Sequence, residues 1–350
     1  MKRLLSILAL CAFMGSAACA KEPNVSDSSP DAPIEAIPDF TGISALEDTT
    51  GISSLNNKEC TYQPFCCDDE YIYFSNPRDR QFLYSYDGER LTRLTEIPAY
   101  DLNYYDNAVY FLSNERTIDP QDRTTVPGYL YRYDLSEKRT DKLSDFLMSS
   151  LSVTAEGIFY QNEDENGLMN VYRFDDSEDP DAPDTPLYHS FSIQSYHRYH
   201  LSYVPGEERI DFYLSNDEES FRLPIEGLPR HDCIVNGKYY YTPQGVYSLM
   251  RLDLATGEQL RISPPDARVL DYTVFQGIEY LLLNGEMASH HNGEIEYLNS
   301  DHQYEYIYSG VNALYALKRT YGGGGMEYDL FELTIDGNNV HGKNITSPAA

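Results

Sequence analysis

The sequence predicts an all-β protein, a β-propeller of seven blades with six as the alternative, preceded by a disordered tether. Three observations predict it. A strand phrase recurs at near-constant spacing, tyrosine-rich runs alternate with period two, and no segment of 12 or more residues keeps a helical period. The phrase first reads Tyr71-Ile72-Tyr73-Phe74-Ser75-Asn76, then Phe82-Leu83-Tyr84-Ser85-Tyr86-Asp87-Gly88, then Arg90-Leu91-Thr92-Arg93-Leu94-Thr95. It returns as Val109-Tyr110-Phe111-Leu112-Ser113-Asn114, Tyr129-Leu130-Tyr131-Arg132-Tyr133-Asp134 and Lys142-Leu143-Ser144. One such unit cannot bury its apolar face alone, so the units must stack.

The chain begins with a targeting pattern. Met1-Lys2-Arg3 carries positive charge, Leu4 to Met14 is apolar, and Gly15-Ser16-Ala17-Ala18 places small residues before Cys19. Residues 1–18 are therefore expected to be a lipoprotein signal peptide, with Cys19 the lipidated first residue. Ser16 stands where such signals usually carry Leu, so cleavage near Ala18 or Ala20 and secretion is the alternative. No later run reaches the ~18 apolar residues of a spanning helix, so the membrane is expected to be reached through the lipid anchor only.

Residues 19–57 are rich in Ser, Asp and Pro and read as a disordered tether, with a reach of roughly 30 Å as a flexible coil. Within it, Thr41-Gly42-Ile43-Ser44-Ala45-Leu46 is the candidate to pair with the last unit and close the ring. The propeller is expected over residues 58–346.

Within that span, an Asp closing the second strand of each unit serves as a ruler: Asp87, Asp134, Asp175, Asp253 and Asp336. The early steps are 47 and 41 residues and the later ones, 78 and 83, are each two periods long. Ser220-Phe221-Arg222-Leu223 and Glu294-Ile295-Glu296-Tyr297-Leu298 fill the two gaps as degenerate copies, which makes seven units of about 41 residues. First strands are read at Ile158–Tyr160, Ile210–Tyr213, Tyr239–Tyr241, Tyr280–Leu283 and Leu314–Leu317. The fourth unit is cramped, hence the six-blade alternative. Asp87-Gly88, Thr256-Gly257 and Asp336-Gly337 supply turns, and Gly322-Gly323-Gly324-Gly325 a flexible hairpin loop.

The aromatic-Ser-Asn strand followed by Leu83-Tyr84-Ser85-Tyr86-Asp87-Gly88 and a closing Leu-Thr resembles bacterial lipoproteins with a propeller similar to that of low-density-lipoprotein-receptor-related proteins. The resemblance covers roughly residues 66 to 175. It implies a propeller and an extracytoplasmic location, at the bacterial cell membrane or surface, and transfers no catalytic residue. The Trp-Asp signature of the receptor propellers is missing, since the chain has no Trp.

Charge narrows the partners. Lys and Arg number 26 against 56 Asp and Glu, a net charge of −30, which repels polyanions, so no nucleic-acid partner is expected. The 32 tyrosines are read chiefly as blade packing, with those at loop tips as stacking or anchoring groups for an extracellular protein or glycan ligand. A binding or scaffolding module is the leading reading. The alternatives are a glycan hydrolase or lyase with a histidine-bound metal, and a structural envelope component.

For that metal, the candidates are His197, His200 and His231, three imidazoles that a propeller axis would gather around a transition metal. His290-His291 is a further pair. Asn162, Asp164 and Asn166 before Gly167 copy the first half of a calcium loop, but its twelfth position is Arg173 rather than a bidentate Glu, and a plain hairpin competes with it. No cofactor is predicted, with calcium or a transition metal as the exception. No catalytic residue is assigned. Beyond Cys11 and Cys19, Cys60, Cys66, Cys67 and Cys233 are the disulfide candidates, as Cys60 with Cys66, as Cys66 or Cys67 with Cys233, or all reduced.

Overall fold

The computed structural model describes residues 64–346, apart from 115–125, 156, 165–168, 175–185, 191–192, 194, 197–198, 206–209, 216–219, 226–227, 255, 311 and 323–324. It is all-β, with seven consecutive antiparallel sheets and no helix among the described residues. Blade 1 is β1 (Phe65–Cys67), β2 (Ile72–Asn76), β3 (Phe82–Tyr86) and β4 (Leu91–Pro98). Blade 2 is β5 (Tyr100–Tyr105), β6 (Ala108–Ser113), β7 (Tyr129–Asp134) and β8 (Arg139–Lys142). Blade 3 is β9 (Ser150–Thr154), β10 (Gly157–Glu163), β11 (Met169–Phe174) and β12 (Tyr188–His189). Blade 4 is β13 (Ser195–Tyr196), β14 (Tyr199–Pro205), β15 (Ile210–Ser215) and β16 (Ser220–Arg222). Blade 5 is β17 (Pro229–Val235), β18 (Lys238–Pro243), β19 (Met250–Asp253) and β20 (Gln259–Arg261). Blade 6 is β21 (Val269–Phe275), β22 (Ile278–Leu283), β23 (Glu286–His291) and β24 (Glu294–Tyr297). After β25 (Asn299–Ser300), blade 7 is β26 (Tyr306–Ser309), β27 (Leu314–Gly322), β28 (Gly325–Asp336) and β29 (Asn339–Asn344), and β25 adds parallel to β29.

Every sheet is a meander, so turns between first and second strands and between third and fourth strands share one rim. That is the turn rim. Two-residue turns such as Asp106-Asn107, Asn236-Gly237 and Asn292-Gly293 have positive φ at both positions, the geometry that matches strand twist and that Asn, Asp and Gly adopt at least cost. The Asp of the ruler has a physical role there. The Asp87 carboxylate accepts the backbone N–H of Glu89 and Arg90, and Asp134 does the same for Ser136 and Glu137, so each caps the turn after a third strand. Those bonds, Arg90 first for Asp87 and Glu137 first for Asp134, hold both carboxyls below the usual range.

Two of the degenerate copies are displaced by one strand. The Asp-closed strands, expected as second strands, are third strands (β3, β7, β19), because a further inner strand precedes each one expected to be first; Ser220–Arg222 and Glu294–Tyr297, expected as their copies, are fourth strands, β16 and β24. Likewise Ile210–Ser215 is the third strand of blade 4, and its second is β14. Blade 6 ends its third strand on Asn292-Gly293 instead of Asp-Gly, which hides the register.

Stacking of the blades makes the core. Blades 1 and 2 bury Cys66, Tyr73 and Leu83 against Val109, Phe111 and Tyr131, and blades 2 and 3 bury Tyr100 and Leu130 against Leu151 and Tyr160. Similar clusters fill the seams between blades 4 and 5, 5 and 6, and 6 and 7. A fully buried side chain such as Phe111 contributes about 1.5–3 kcal/mol, so each seam is worth several such terms. At the seam of blades 3 and 4 the described contact is aromatic, with the His189 ring 6.2 Å from Tyr203.

The ring closes where blade 7 meets blade 1. Phe65, Phe74 and Tyr86 pack on Tyr308, Tyr315 and Leu330, and Phe65 stacks on Tyr308 at 5.5 Å. Arg78 grips Asp329 with two hydrogen bonds of 2.7 and 2.9 Å and also pairs with Glu327. Both blades draw their four main strands from one continuous stretch of chain, so packing and this clasp close the ring within the described residues. Thr41–Leu46, the sequence's candidate for closure, lies outside them.

Polar side chains stitch neighbouring first strands. Asn103 in β5 bonds the Leu151 carbonyl and the Val153 N–H of β9, and Asp271 in β21 accepts the Ile307 N–H of β26 at 2.7 Å. The first strands of blades 2, 5 and 6 each carry a register shift, at Tyr100/Asn103, Arg230/Cys233 and Val269/Asp271, that seats an aspartate: Asp101, Asp232 and Asp271.

Candidate functional site

Between blades 1 and 2 a groove of about 910 Å³ opens on the turn rim. Its inner end is built by the turn between β1 and β2. The Asp68 carboxylate accepts the N–H groups of Glu70 and Tyr71 at 2.8 and 2.6 Å and the Tyr73 hydroxyl at 2.5 Å, which fixes turn and ring together. Tyr73 then lies in the middle of a stack, nearly parallel to Tyr104 of blade 2 at 5.8 Å and 6.3 Å from Tyr71. The buried Tyr73 is the partition between an exposed Tyr71 and a half-buried Tyr104. Burial first, and then the bond to Asp68, pushes the Tyr73 phenol far above its ordinary range, so it stays neutral; burial and the Asp68 charge also raise Tyr104.

Charge is divided along the groove. Asp69 and Glu70 are exposed on the β1–β2 turn, while Arg90 before β4 and Lys138 before β8 are exposed at the outer strands. Among the described residues none of these four side chains is in a salt bridge. Arg93, also at the wall, is held by Glu96 at 3.0 Å, Asp79 at 3.5 Å and the Phe82 ring. Strands β1 to β4 run outward from the hub, so the inner end of the groove, beside Tyr71 and Tyr104, is acidic and the outer end basic.

A second polar cluster lies buried between blades 5 and 6. Glu279 of β22 accepts from the Tyr240 hydroxyl at 3.0 Å and from Arg251 at 2.5 Å on one oxygen, and meets His290 Nδ1 at 3.0 Å on the other. Burial would raise the Glu279 carboxyl, but the bonds from His290, Arg251 and Tyr240 outweigh it and hold the pKa below the ordinary value. Glu279 and His290 are 4% and 5% exposed, too little to meet a ligand, so this cluster joins blades.

The sequence candidates scatter. His200 pairs with Ser195 and Ser215 in β14, at backbone level, whereas His231 is in the bulge of β17 at φ +49° with its carbonyl accepting the Tyr272 hydroxyl. His197 lies outside the described residues. Of the calcium-like set, Asn162 faces Asn170 across the β10–β11 hairpin and donates its amide to the Leu147 carbonyl at 3.1 Å; Asp164 follows it, and Asn166 lies outside the described residues. Among the described residues no three His, Cys, Asp or Glu side chains are grouped as a metal site. Cys66, Cys67 and Cys233 are buried thiols in three different seams, so the bridge from Cys66 or Cys67 to Cys233 is not formed; Cys60 lies outside the described residues. Of the pair His290-His291, the first is buried on Glu279 and the second is exposed.

Reading the sequence misses the groove, although Asp68-Asp69-Glu70-Tyr71 between two aromatic strands is a visible cue: an acidic turn beside a tyrosine. Glu279 has a cue too, a lone carboxylate in the apolar strand Ile278-Glu279-Tyr280-Leu281.

Comparison with known proteins adds the fold class. No protein-family model matches the chain, and no curated protein sequence does. A puromycin-hydrolysing peptidase of Mycobacterium tuberculosis is similar in structure, with a TM-score of 0.55 and 9% identity over 91% of this chain and 56% of that one. Kluyvelomyces marxianus Hsv2 follows at 0.49 and 9%, covering 80% and 96% of the two chains. Pyrococcus horikoshii acylaminoacyl peptidase matches at 0.48 and 14%, covering 79% and 50%. The chain spans about half the length of these peptidases. Identity this low shows a shared fold alone, the β-propeller.

Proposed function

We propose that the protein is a lipid-anchored, extracytoplasmic binding module whose ligand, an extracellular peptide or glycan, lies in the groove between blades 1 and 2. One observation carries the reading: a concave, tyrosine-stacked groove of about 910 Å³, flanked by side chains without salt-bridge partners among the described residues. That volume is at the upper end of the ~300–1,000 Å³ typical of ligand sites, and exposed tyrosine on a rigid turn contributes contact area at little entropic cost. The anchor reading rests on the Lys2-Arg3 charge, the apolar stretch and Cys19.

The test is retention of two probe sets on the immobilised protein, phage-displayed heptapeptides and a panel of fluorescent oligosaccharides, with Tyr71→Ala as the counter-target. Binding of at least one set should fall tenfold or more in Tyr71→Ala. Equal retention by both proteins would overturn the groove as the site. Incorporation of labelled palmitate that disappears in Cys19→Ala checks the anchor.

A further inference from the structure

We infer that the groove selects a short peptide carrying a cationic and an anionic group about 10 Å apart; this rests on the binding role proposed above and names its ligand class. The charges lie at opposite ends of one groove, Asp69 and Glu70 toward the hub and Arg90 and Lys138 toward the outer strands. The turn between β1 and β2 and the start of β4 are two strand spacings apart, about 10 Å at ~4.8 Å each. An extended peptide rises ~3.3 Å per residue, so two side chains about three residues apart span that distance.

The arrangement discriminates by chemistry. A neutral oligosaccharide would stack on Tyr71 and Tyr104 but offers no countercharge to either end, and the four ionic groups would give up hydration without an ionic partner. A polyanion would meet Asp69 and Glu70 first, in a chain whose net charge is already −30. A peptide with an amine at the inner end and a carboxylate at the outer end satisfies both, and the two residues between them offer side chains to the tyrosines. Whole-surface repulsion is not a barrier to such a ligand, because its own net charge is near zero.

The heptapeptide selection reads this directly. Sequences retained by the full chain and lost on Tyr71→Ala should pair Lys or Arg with Asp or Glu about three residues apart. A synthetic peptide of that pattern should bind at least fivefold more weakly to Asp69→Asn/Glu70→Gln and to Arg90→Ala/Lys138→Ala, and weaken when salt is raised from roughly 0.05 to 0.5 M, because exposed charges are screened. These side chains are exposed, so the variants fold. Retained peptides without paired charges, or Tyr71-dependent retention of neutral oligosaccharides alone, would overturn the inference and leave the binding role standing. Loss of Tyr71 dependence for both probe sets would remove the binding role and the inference together.

Discussion

Glu279→Gln tests how the blades are held. The substitution keeps shape and removes one charge from a cluster in which Tyr240, Arg251 and His290 all converge on that carboxylate. Gln can still accept the Tyr240 bond through its carbonyl, but its amide then faces His290, and Arg251 loses its anion. Hydrogen bonds to a charged group contribute about 1.5–3 kcal/mol each, and breaking a buried ion pair costs about 3–5 kcal/mol. The Arg251 side chain is 22% exposed and recovers some hydration, which brings the expected loss to about 3 kcal/mol. With an unfolding entropy of about 2.1 cal/mol/K per residue over roughly 280 residues, that loss lowers Tm by about 5 °C.

The assay is thermal unfolding by circular dichroism from pH 3 to 8, for the wild type, Glu279→Gln, Arg251→Met and the double variant. Since the folded pKa of Glu279 lies below its unfolded value, its contribution is complete above the ordinary carboxylate range, about pH 4.3 and higher, and is lost as pH falls through the folded pKa. The gap between wild type and Glu279→Gln should therefore be widest at neutral pH and shrink below pH 4. Arg251→Met leaves the carboxylate buried without its guanidinium partner and should raise its pKa. A Tm change under 1 °C in Glu279→Gln, or coupling below about 0.5 kcal/mol in the double-mutant cycle, would refute the reasoning.

Further tests address the ring and its seams. Asp329→Asn keeps one oxygen to accept an Arg78 bond but loses the second acceptor and the charge, and should cost about 2 kcal/mol, less than a full buried pair because Arg78 keeps Glu327 and Thr320; hydrogen exchange at the Leu330 N–H, which bonds the Thr346 hydroxyl held by Asp329, should speed up. Burial would raise the Asp329 carboxyl, yet the Arg78 bonds hold it low, so this contribution also fades as pH falls below the ordinary carboxylate range. Gly128→Ala would drive a methyl into the Tyr100 hydroxyl and to 2.8 Å from the Ser113 nitrogen, for a loss of about 1–3 kcal/mol by chemical denaturation. Cys66, fully buried and with its thiol pushed up by burial and then by Cys67 and Asp68, should resist iodoacetamide at pH 8 until the protein unfolds, as mass spectrometry would show.

The fold was legible because its repeats are enforced by local chemistry. Asp87, Asp134 and Asp253 each cap the turn after a third strand, and these local bonds keep the marker in place even where identity has decayed. Where Asn292-Gly293 makes the turn by positive φ alone, the marker vanishes and the register slips by one strand. The groove was less legible. Its tyrosines come from two blades and look like every other strand tyrosine in the chain; what separates Tyr71 from Tyr239 is exposure, 36% against none, and exposure belongs to the folded ring. Histidine spacing misled for the same reason, since proximity in sequence along a strand alternates faces and says nothing of which blade lies opposite.

The position of the groove follows from how the stack tolerates difference. Each seam needs apolar side chains on both faces, and the polar groups on the turn rim are the part of a blade that packing leaves unconstrained. In blade 1 the first turn is Asp68-Asp69-Glu70, three acids of which Asp68 alone is used to hold the turn and the Tyr73 ring. Asp69 and Glu70 contribute nothing to that scaffold. One capping carboxylate suffices for this turn, so two more beside an exposed tyrosine, facing Arg90 and Lys138 across one groove, have no structural work among the described residues. Removing Asp69 and Glu70 together should therefore leave Tm within about 1 °C while weakening peptide binding at least fivefold, whereas Asp68→Ala should lower both, because it releases the turn and the stacked ring at once.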